Sequence, residues 1–447
     1  MQNCCEERDL RELSTDDQRR TVAVIGSGVA GLTAAYVLSK RDAVTLYEAD
    51  TRLGGHAHTH HVVQDNGISL DVDTGFIVHN DRTYPTLLRL FGELGVATQE
   101  SDMSMSVRSD VDDLEYAGAK GLPGLFPRLR MLGRPRYLKM LGEVTRFHRA
   151  ARAVLDATDS AADEPLADFL ARNNFSEFFV DHFMTPLVAA VWSCDPRLAS
   201  DYPARYLFAF LDHHGMLSVT GSPTWRTVTG GSARYVEKVA QTLHEVRVGS
   251  PVHRIDRTSD GVDVVETSGA TRRFGAVVIA VHPRHALAML GAPSELESAV
   301  LSAMPYSVNK AKLHTDQSLL PRAPRARASW NYLIPAHESD GVIVTYDMTR
   351  LMRLQAGDDR RYLVTLGGDG LVDPATVIAE MTYEHPIYTP ESVAAQRRLP
   401  ELGSDVVAFA GAYHGWGFHE DGARSGLRAA ERLGATWDVG AVLEPAT

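Results

Sequence analysis

A glycine-rich loop between an apolar strand and a helix constrains the fold of this chain more than any other feature. The β-branched run Thr21–Ile25 leads into the loop Gly26-Ser27-Gly28-Val29-Ala30-Gly31, and the helical run Leu32–Ser39 follows. In this order the three glycines permit a tight turn, a close approach of the backbone to a pyrophosphate, and close packing of helix against strand. The helix N-terminus favours phosphate charge. The pattern predicts a dinucleotide-binding unit.

Two more signals follow in register. Glu48, with Ala49 after it, ends the next predicted strand roughly twenty residues on, where a carboxylate accepts ribose hydroxyls and disfavours a 2′-phosphate. The segment Arg52-Leu53-Gly54-Gly55-His56 adds a second small-residue turn and a cation beside the same pyrophosphate. Taken singly, the glycine loop is also consistent with a helix-packing turn, and Glu48 with a solvated charge. Together they favour FAD over NAD.

Composition excludes several classes of protein. The chain has 447 residues, 44% of them hydrophobic, which is enough to bury a large core in two or more domains. Acidic residues outnumber basic ones by 57 to 45, and the formal net charge of -12 argues against nucleic acid as a partner. Three cysteines are too few to staple such a chain and fit a reducing cytoplasm.

The N-terminal segment shows no targeting signal. Residues 1–20 lack the apolar core of a signal peptide, and the chain contains no run of about eighteen apolar residues that would span a bilayer. We expect residues 1–20 to form a disordered tail of a cytoplasmic protein.

Hydrophobic periodicity divides the remainder into two alternating kinds of segment. Leu87, Leu90, Phe91 and Leu94 predict an amphipathic helix that stops at Gly95. Residues 121–222 are mostly helical in pattern and rich in Phe and Leu, whereas residues 290–400 predict separate strands. We therefore predict an FAD-binding domain from residues 21–100, 223–290 and 401–447, and a substrate domain from residues 101–222 and 291–400.

Later segments complete the predicted nucleotide domain. Residues 246–281 predict a β-meander that begins at Val246-Arg247-Val248, followed by a buried parallel strand at Val277–Val281. Val406–Gly411 predicts one more buried strand, and a last helix is expected to start near Gly422.

Three separated blocks, the glycine loop, the meander with its following strand, and the segment from Phe409 to Gly426, resemble the flavin-dependent amine oxidase and phytoene desaturase superfamily. Four motifs resemble the branch of predicted FAD/NAD-binding oxidoreductases associated with cyclopropane-fatty-acid synthases: HNDRTYP (79–85), SWNYLIP (329–335), YEHPIY (383–388) and GFHEDGARSG (417–426). The resemblance covers nearly the whole chain after residue 20. It implies an α/β fold in which an α+β substrate domain is inserted into a discontinuous, doubly wound, Rossmann-like FAD domain.

The resemblance also implies roles for single residues. The loop from Gly26 to Gly31 would hold the FAD pyrophosphate, Glu48 the adenosine ribose, and the backbone of Val252 the adenine edge. Residues expected around the flavin are Gly75, Phe76, Ile77 and Gly411. Gly422 and Ala423, at the start of the last helix, would present backbone N–H groups and positive dipole to the pyrimidine end of the ring.

The chain departs from the family pattern at three places. His419 stands where amine oxidases carry an aromatic residue opposite the flavin, which weakens the case for an amine substrate. Ala412 replaces the acidic residue that often follows the glycine matched by Gly411, which puts the ribityl contact in doubt. Neither expected linkage site has a cysteine nearby, so we expect a non-covalently held flavin.

Candidate proton acceptors lie near the end of the chain. His419 is the first candidate, because an unperturbed imidazole titrates near neutrality. Tyr413, His414 and Tyr383 are the further candidates. Each is also consistent with an ordinary loop histidine or an aromatic residue that fills a domain junction.

Histidines after the second glycine turn raise the alternative of a metal site. His56, His58 and His60 would share one face of a strand, with His61 beside them. Because metal sites usually add carboxylate support, and because His56 lies next to the predicted pyrophosphate, we predict no metal.

A local excess of cations marks residues 121–153, where eight basic residues and one acid, Glu143, alternate with large apolar residues. The basic residues are Arg128, Arg130, Arg134, Arg136, Lys139, Arg146, Arg149 and Arg152. The segment is consistent with peripheral contact with anionic lipid headgroups and equally with a solvated helix face.

The sequence predicts an FAD-dependent oxidoreductase that oxidises or desaturates an apolar, lipid-type substrate. A flavin-dependent double-bond isomerase without net redox change is the first alternative, and a non-catalytic FAD-bearing partner of a lipid-modifying enzyme is the second. The candidate reoxidants of the flavin are oxygen, a quinone and another protein.

Overall fold

The computed structural model describes residues 19–157, 164–218, 221–337, 341–357 and 359–437. Residues 1–18 of the predicted tail lie outside this description. The strands described are β1 (Thr21–Ile25), β2 (Ala43–Tyr47), β3 (Thr59–Val63), β4 (Ser69–Asp73), β5 (His79–Asn80), β6 (Thr98–Glu100), β7 (Met105–Ser109), β8 (Leu114–Ala117), β9 (Trp225–Val228), β10 (Glu245–Arg247), β11 (Val252–Arg257), β12 (Val262–Glu266), β13 (Thr271–Phe274), β14 (Ala276–Ile279), β15 (Tyr306–His314), β16 (Trp330–Ile334), β17 (Val344–Asp347), β18 (Leu363–Leu366), β19 (Val377–Pro386) and β20 (Val407–Phe409).

The α-helices described are α1 (Val29–Ser39), α2 (Pro85–Leu94), α3 (Gly121–Leu125), α4 (Pro135–Asp156), α5 (Leu166–Arg172), α6 (Glu177–Phe179), α7 (Thr185–Trp192), α8 (Ala204–His213), α9 (Ala233–Ala240), α10 (Pro283–Met289), α11 (Glu295–Ser302), α12 (Met348–Leu351), α13 (Pro390–Gln396) and α14 (His419–Arg432). A π-helical turn, Val180–Met184, joins α6 to α7, and short 3-10 turns link several other elements.

A five-stranded parallel sheet in the order β10-β2-β1-β14-β20 forms one half of the molecule. β1 pairs in parallel with β2 and β14, and β14 pairs in parallel with β20. The central strands are buried on both faces, as expected for a parallel sheet covered on each side. The discontinuous α/β fold expected from the sequence is confirmed.

The first strand of the predicted meander belongs elsewhere. β11, β12 and β13 form a three-stranded antiparallel sheet, but β10 pairs in parallel with β2 at the edge of the five-stranded sheet. Gly249 and Ser250 donate backbone hydrogen bonds to the carbonyls of Asp50 and Glu48, both at 2.9 Å. These bonds hold the chain after β10 against the segment that follows β2, and the chain changes direction there before β11 begins. The sequence pattern around residues 246–252 does not reveal a contact with residues this distant in the chain.

A seven-stranded mixed sheet in the order β19-β15-β18-β17-β16-β7-β8 forms the other half. β16 and β7 run parallel, and the other neighbouring pairs are antiparallel. Helices from residues 121–213 pack on this sheet in one apolar cluster rich in Phe and Tyr. The sequence patterns did not predict β19, the long edge strand that carries the first four residues of the YEHPIY motif.

The two sheets draw their strands from different parts of the chain. Strands of the parallel sheet come from residues 21–47, 245–247, 276–279 and 407–409, and those of the seven-stranded sheet from residues 105–117 and 306–386. The domain boundaries given above stay a prediction. Among the described residues, none of the helices combines the length and the apolar character needed to cross a membrane.

The last helix starts one turn earlier than predicted. α14 begins at His419, because the Asp421 carboxylate accepts hydrogen bonds from the amides of Trp416 and Phe418 at 3.0 and 3.1 Å and so fixes the preceding turn. Gly422 therefore lies inside the helix and donates its own amide to the Phe418 carbonyl. A Cβ on Gly422 would come within 2.6 Å of Val29, so this glycine serves the packing of α14 on α1.

A buried histidine in β15 allows a stability test far from the nucleotide loop. The His314 ring is fully buried, its Nδ1 accepts from the Asp316 amide at 3.1 Å, and its Nε2 donates to the Thr365 hydroxyl at 2.7 Å. Burial lowers the pKa of His314 from 6.5 to about 4. Below pH 6.5 the unfolded chain takes up a proton that the folded ring does not, so stability is lost as the pH falls toward the folded pKa.

We expect His314→Asn to lower the free energy of unfolding by about 1 to 2 kcal/mol near neutral pH, because the bond to Thr365 is lost. The deficit should vanish or reverse near pH 5, where wild type has lost about 2 kcal/mol that the non-titrating Asn cannot lose. Urea unfolding at the two pH values measures the difference. As a control, Thr365→Val removes no titrating group and should keep the wild-type dependence of the unfolding free energy on pH. If the unfolding free energies of wild type and His314→Asn change equally with pH, the burial argument is contradicted.

Candidate active site

A cavity of about 610 Å³ lies between the carboxyl ends of the parallel strands and the seven-stranded sheet. The glycine loop, Glu48 and the second glycine turn line one end, and residues of β7, β16, β17, α7 and α8 line the other. A ligand crevice at the carboxyl ends of parallel strands is the general arrangement of doubly wound domains. One continuous space therefore joins the predicted dinucleotide site to the substrate half of the molecule.

The glycine loop has the geometry that a pyrophosphate requires. Gly26 has φ +98°, and a Cβ on Gly31 would lie 1.9 Å from the Gly26 carbonyl oxygen, so both positions need glycine. Gly28 caps α1, and a Cβ there would meet nothing within 4 Å, since this backbone faces the cavity. The Leu32 amide donates to the Gly28 carbonyl at 2.9 Å, so the amides of the first helical turn, Val29 to Gly31, come before the intrahelical bonds and can bind an anion.

Glu48 stands at the rim of the same end. One carboxylate oxygen accepts from the Ser27 amide and the other from the Asp50 amide, both at 2.9 Å. The side chain lines the cavity and is half-buried, the position that ribose hydroxyls require. The exposed Ala49 and the buried Val252 do not line the cavity.

The second glycine turn packs directly on the first. Gly54 and Gly55 have φ +109° and +57°, and a Cβ on Gly55 would lie 3.2 Å from Gly28 Cα. The Gly54 amide donates to Ser27 Oγ at 3.0 Å, which joins the two turns. Arg52, Gly55 and His56 line the cavity, whereas Leu53 and Gly54 lie behind it.

A buried polar atom without a partner lies beside the glycine turns, on the predicted cofactor side of the cavity. His56 Nε2 is buried and without a hydrogen bond among the described residues, and burial holds the pKa of this ring well below its usual value. Gly75, Phe76 and Ile77 follow Asp73 and line the cavity beside it. A Cβ on Gly75 would lie 2.2 Å from the His56 carbonyl oxygen, so the two segments make backbone contact. The loops, the free amides and this imidazole fit a flavin dinucleotide.

His419 lines the cavity next to Phe76. Its ring stacks on Phe76 with centroids 3.6 Å apart, and its Nε2 lies 3.2 Å from the Tyr235 hydroxyl. Burial lowers the pKa of His419 to about 3. Burial thus disfavours the charged form of the ring and moves its pKa away from the near-neutral value of an unperturbed imidazole, and the role of His419 as a proton acceptor stays a prediction.

The other three predicted proton acceptors differ in position. Tyr383 lines the cavity, bonds Thr74 Oγ1 at 2.7 Å and His58 Nδ1 at 3.0 Å, and has a pKa raised by burial to about 12. Tyr413 and His414 do not line it. Tyr413 packs in the core beneath the three-stranded sheet, and His414 faces a second cavity beside Phe409 and Arg428. The 3-10 turn Ala412–His414 directs both side chains away, which a sequence pattern cannot show.

Several predicted cofactor residues act behind the cavity wall. Gly411 and residues 26–30 line the cavity, whereas Gly31, Gly422 and Ala423 pack α1 against its neighbours. The prediction that Gly422 and Ala423 offer free amides to the flavin is wrong, because both lie beyond the first turn of α14. The N-terminal amides of this helix that lack an intrahelical acceptor belong to His419, Glu420 and Asp421.

The substrate end is apolar and aromatic, and the sequence did not identify it. Its apolar lining residues are Met103, Met105, Ala190, Val191, Trp192, Phe210, Met216, Trp225, Trp330, Tyr346, Leu366, Trp416 and Phe418. His385 lies between the two ends, accepts from Asn309 Nδ2 at 2.9 Å, and has a pKa lowered by burial to about 4. These residues come from distant strands and helices, so no local pattern joins them.

The histidines of the segment 56–61, which raised the alternative of a metal site, contact other side chains of the protein. The rings of His58 and His60 contact each other with centroids 4.1 Å apart and planes tilted by 35°. Among the described residues, the group with metal-ligating spacing is instead His282, His285 and Glu384, at the cavity rim. His282 Nδ1 lies 2.7 Å from Glu384, and Arg284 pairs with the second carboxylate oxygen. Because this carboxylate is already neutralised, the group is an ion-pair contact between the two halves.

The fold and the cavity define a flavin-dependent enzyme in which a dinucleotide domain carries an inserted substrate domain. A family model described as flavin containing amine oxidoreductase matches residues 29–370. The chain belongs to this family of flavin-containing oxidoreductases.

Comparisons with individual proteins agree with this assignment. Protoporphyrinogen oxidase 2 of Arabidopsis thaliana is 28% identical over 225 residues, which are 48% of this chain and 41% of the relative. Carotenoid phi-ring synthase of Streptomyces griseus is 27% identical over 297 residues, 62% of this chain and 54% of the relative. The chain thus matches about half the length of these relatives.

Solved structures are similar over nearly their whole length. Cyclohexylamine oxidase from Brevibacterium oxydans superposes with a TM-score of 0.65 at 19% identity, covering 92% of this chain and 98% of that one. A fatty acid isomerase from P. acnes that produces CLA gives 0.67 at 17% identity, covering 93% and 99%. These similarities show the fold.

The open space at Gly28 gives a direct test of the cofactor site. We expect Gly28→Ala to fold normally, since its Cβ meets no protein atom, but to bind FAD at least roughly tenfold more weakly because the methyl occupies the pyrophosphate position. Flavin absorbance after dialysis, and titration with added FAD, measure the loss. Gly92→Ala, an exposed α2 position with equal space, should leave FAD binding unchanged. Normal FAD affinity in Gly28→Ala would place the pyrophosphate elsewhere.

Proposed function

We propose that the protein oxidises or desaturates an apolar, lipid-type substrate, with hydride transfer to FAD that is held non-covalently. The observation that carries this proposal is the substrate end of the cavity. Its lining combines aliphatic, Met and aromatic side chains, whereas the charged residues that line the cavity, Glu48, Arg52 and Glu384, belong to the cofactor end and the rim. Such a surface binds hydrocarbon by excluding water and offers an ammonium group no carboxylate.

Bound FAD supplies the acceptor for a hydride when a C–H bond lies over its ring. The residues of this chain hold that ring and shape the space beside it. Trp192 Nε1 donates to the Trp416 carbonyl at 3.0 Å, and Tyr206 and Tyr388 donate to the Gly415 carbonyl at 2.8 Å each. The segment 415–418 is thus fixed, and it presents Trp416 and Phe418 to the cavity.

Neutral imidazoles surround the proposed reaction centre. Burial keeps His56, His385 and His419 uncharged at neutral pH. Uncharged rings orient a substrate or the flavin edge by hydrogen bonds without introducing a charge that would need water. This environment favours hydride removal from an unactivated carbon over the binding of a charged amine.

The absence of cysteine from the cavity lining supports non-covalent binding. Cys194, the cysteine within the described residues, is fully buried and does not line the cavity. Its reduced, unpaired state fits a cytoplasmic location, which we also propose. The four motifs that resemble the branch associated with cyclopropane-fatty-acid synthases support a fatty-acyl substrate.

Flavin-dependent double-bond isomerisation is the second candidate, because the fatty acid isomerase from P. acnes shares this fold. The same cavity would suit it. The two candidates differ in net redox change, so the mass of the product separates them. Membership of an enzyme family removes the non-catalytic alternative.

Anaerobic reduction of the bound flavin by a panel of lipids, amines and NAD(P)H tests the proposal. We expect fatty-acyl lipids to bleach the flavin absorbance and amines not to, because the substrate end has no carboxylate for an ammonium group. Mass spectrometry should show a product lighter by the hydrogens removed. An unchanged mass with altered double-bond position would establish isomerisation, and bleaching by amines alone would overturn the lipid proposal.

His419→Asn tests the role of the stacked imidazole. A ring with a pKa of about 3 stays neutral, so we expect flavin reduction to slow by less than the roughly hundredfold typical for loss of a general base. The rate should also keep the shape of its wild-type profile from about pH 6 to about pH 9. Stopped-flow absorbance measures both, with His253→Asn on β11 as a control outside the cavity. If the rate of flavin reduction falls by more than this and the variant lacks an inflection that the wild-type pH profile shows, His419 is the general base.

A further inference from the structure

The segment 121–139 exposes more large apolar side chains than its surroundings. Six leucines of the described residues are solvent-exposed, and four of them lie within this segment. Leu122, Leu129, Leu132 and Leu138 are 71%, 83%, 54% and 43% exposed. We call these four leucines and the cations among them the leucine-arginine surface. A concentration of this kind marks an interaction site, whereas leucines scattered singly would not.

The exposed leucines are held in place by the opposite side of the same segment. Met131, Tyr137 and Met140 are buried in the apolar cluster of the substrate half, and the Tyr137 hydroxyl donates to the Leu125 carbonyl at 2.6 Å. Arg134 Nη1 donates to the Asp112 carbonyl at 2.7 Å. Because inward residues fix the backbone, the leucines project from an ordered surface and are not exposed by local unfolding.

Cations alternate with the leucines. Arg130 and Arg134 pair with Asp113, in the β7–β8 turn that also carries Val111, itself 63% exposed. Arg136 and Lys139 are exposed and have no ion pair among the described residues. Uncompensated positive charge therefore flanks Leu138 in a chain whose formal net charge is -12. The rest of an acidic molecule is repelled by anionic lipid, so only a local basic surface can approach it.

We propose that the leucine-arginine surface docks the protein on an anionic lipid bilayer, with the leucines in the interfacial layer and Arg136 and Lys139 at the headgroups. Leucine with flanking cations is the composition of interfacial helices, whereas protein interfaces concentrate their energy in Trp and Tyr, which are absent from this exposed set. The apolar cluster under the segment also contains cavity residues, such as Trp192, Phe210 and Tyr346. The choice of a bilayer rests on the proposed lipid substrate.

Co-sedimentation of the full-length, FAD-bound protein with vesicles tests this surface. We expect binding to phosphatidylcholine vesicles that contain phosphatidylglycerol, little binding to phosphatidylcholine alone, and weakening by salt. Arg136→Gln with Lys139→Gln should weaken binding roughly thirtyfold, since each cation near the surface contributes about fivefold. Leu129→Ser with Leu132→Ser should abolish binding at moderate salt, because electrostatic attraction alone is then left.

Matched controls change the same residue types elsewhere. Lys310→Gln with Arg254→Gln removes exposed cations from β15 and β11, and Leu371→Ser removes an exposed leucine. These variants should bind as wild type. All variants lie on the surface and should keep the flavin spectrum and the unfolding temperature. Binding that the segment variants leave unchanged, or that the controls weaken equally, would overturn the proposal, as would no binding to the anionic vesicles.

Two further results separate this proposal from the proposed function and from self-association. If lipids dispersed in detergent reduce the flavin but vesicles do not bind, the surface proposal fails and the function stands. If vesicles bind through the segment but no lipid reduces the flavin, the function fails. A shift of the leucine variants from dimer to monomer, measured by analytical ultracentrifugation without change in vesicle binding, would make the surface a contact between two copies and overturn the bilayer.

Discussion

The close approach of α1 to α14 and to its own loop is the constraint on which the cofactor site depends. A Cβ on Gly426 would lie 2.1 Å from the Ala30 carbonyl oxygen, and one on Gly31 would lie 1.9 Å from that of Gly26. At these contacts α1, α14 and the glycine loop approach so closely that there is room for backbone atoms but not for side chains. Since α14 follows the last strand of the parallel sheet, this contact fixes the N-terminus of α14, and with it His419, relative to the pyrophosphate loop.

Buried carboxylates brace the two walls of the cavity. Asp73 accepts from Thr59 Oγ1, the Ser232 amide and Ser232 Oγ at 2.6 to 2.9 Å, which ties the end of β4 to the start of α9. Asp421 accepts from the amides of Trp416 and Phe418 and so fixes the turn before α14. Burial nevertheless raises the pKa of each carboxyl to about 6, so desolvation outweighs the hydrogen bonds. The same desolvation lowers the pKa of the buried imidazoles that line the cavity.

The nucleotide half could be predicted because its signals are local. Within residues 21–56, the glycines, the apolar strand and Glu48 each meet a requirement that is set by the local sequence. The parallel strands appear as continuous apolar runs. The errors arose where tertiary contacts decide. β10 pairs with β2, and bonds between residues 247–250 and 48–50 extend that contact beyond the strands. α14 starts early because the Asp421 carboxylate accepts from the Trp416 amide. Burial, which lowers the pKa of His419, is likewise a property of the assembled cavity.

The substrate half gave weaker signals for a physical reason. Its cavity wall is assembled from single residues of β7, α7, α8, β16 and β17, each of which also appears as ordinary core in its own element. Trp192 and Tyr346 cannot be recognised as lining residues until the seven-stranded sheet is built. Glycine contacts fix the cofactor loops independently of these side chains. It follows that exchanges among large apolar residues at the substrate end can reshape the cavity, and so change the substrate, without disturbing the loops that hold FAD.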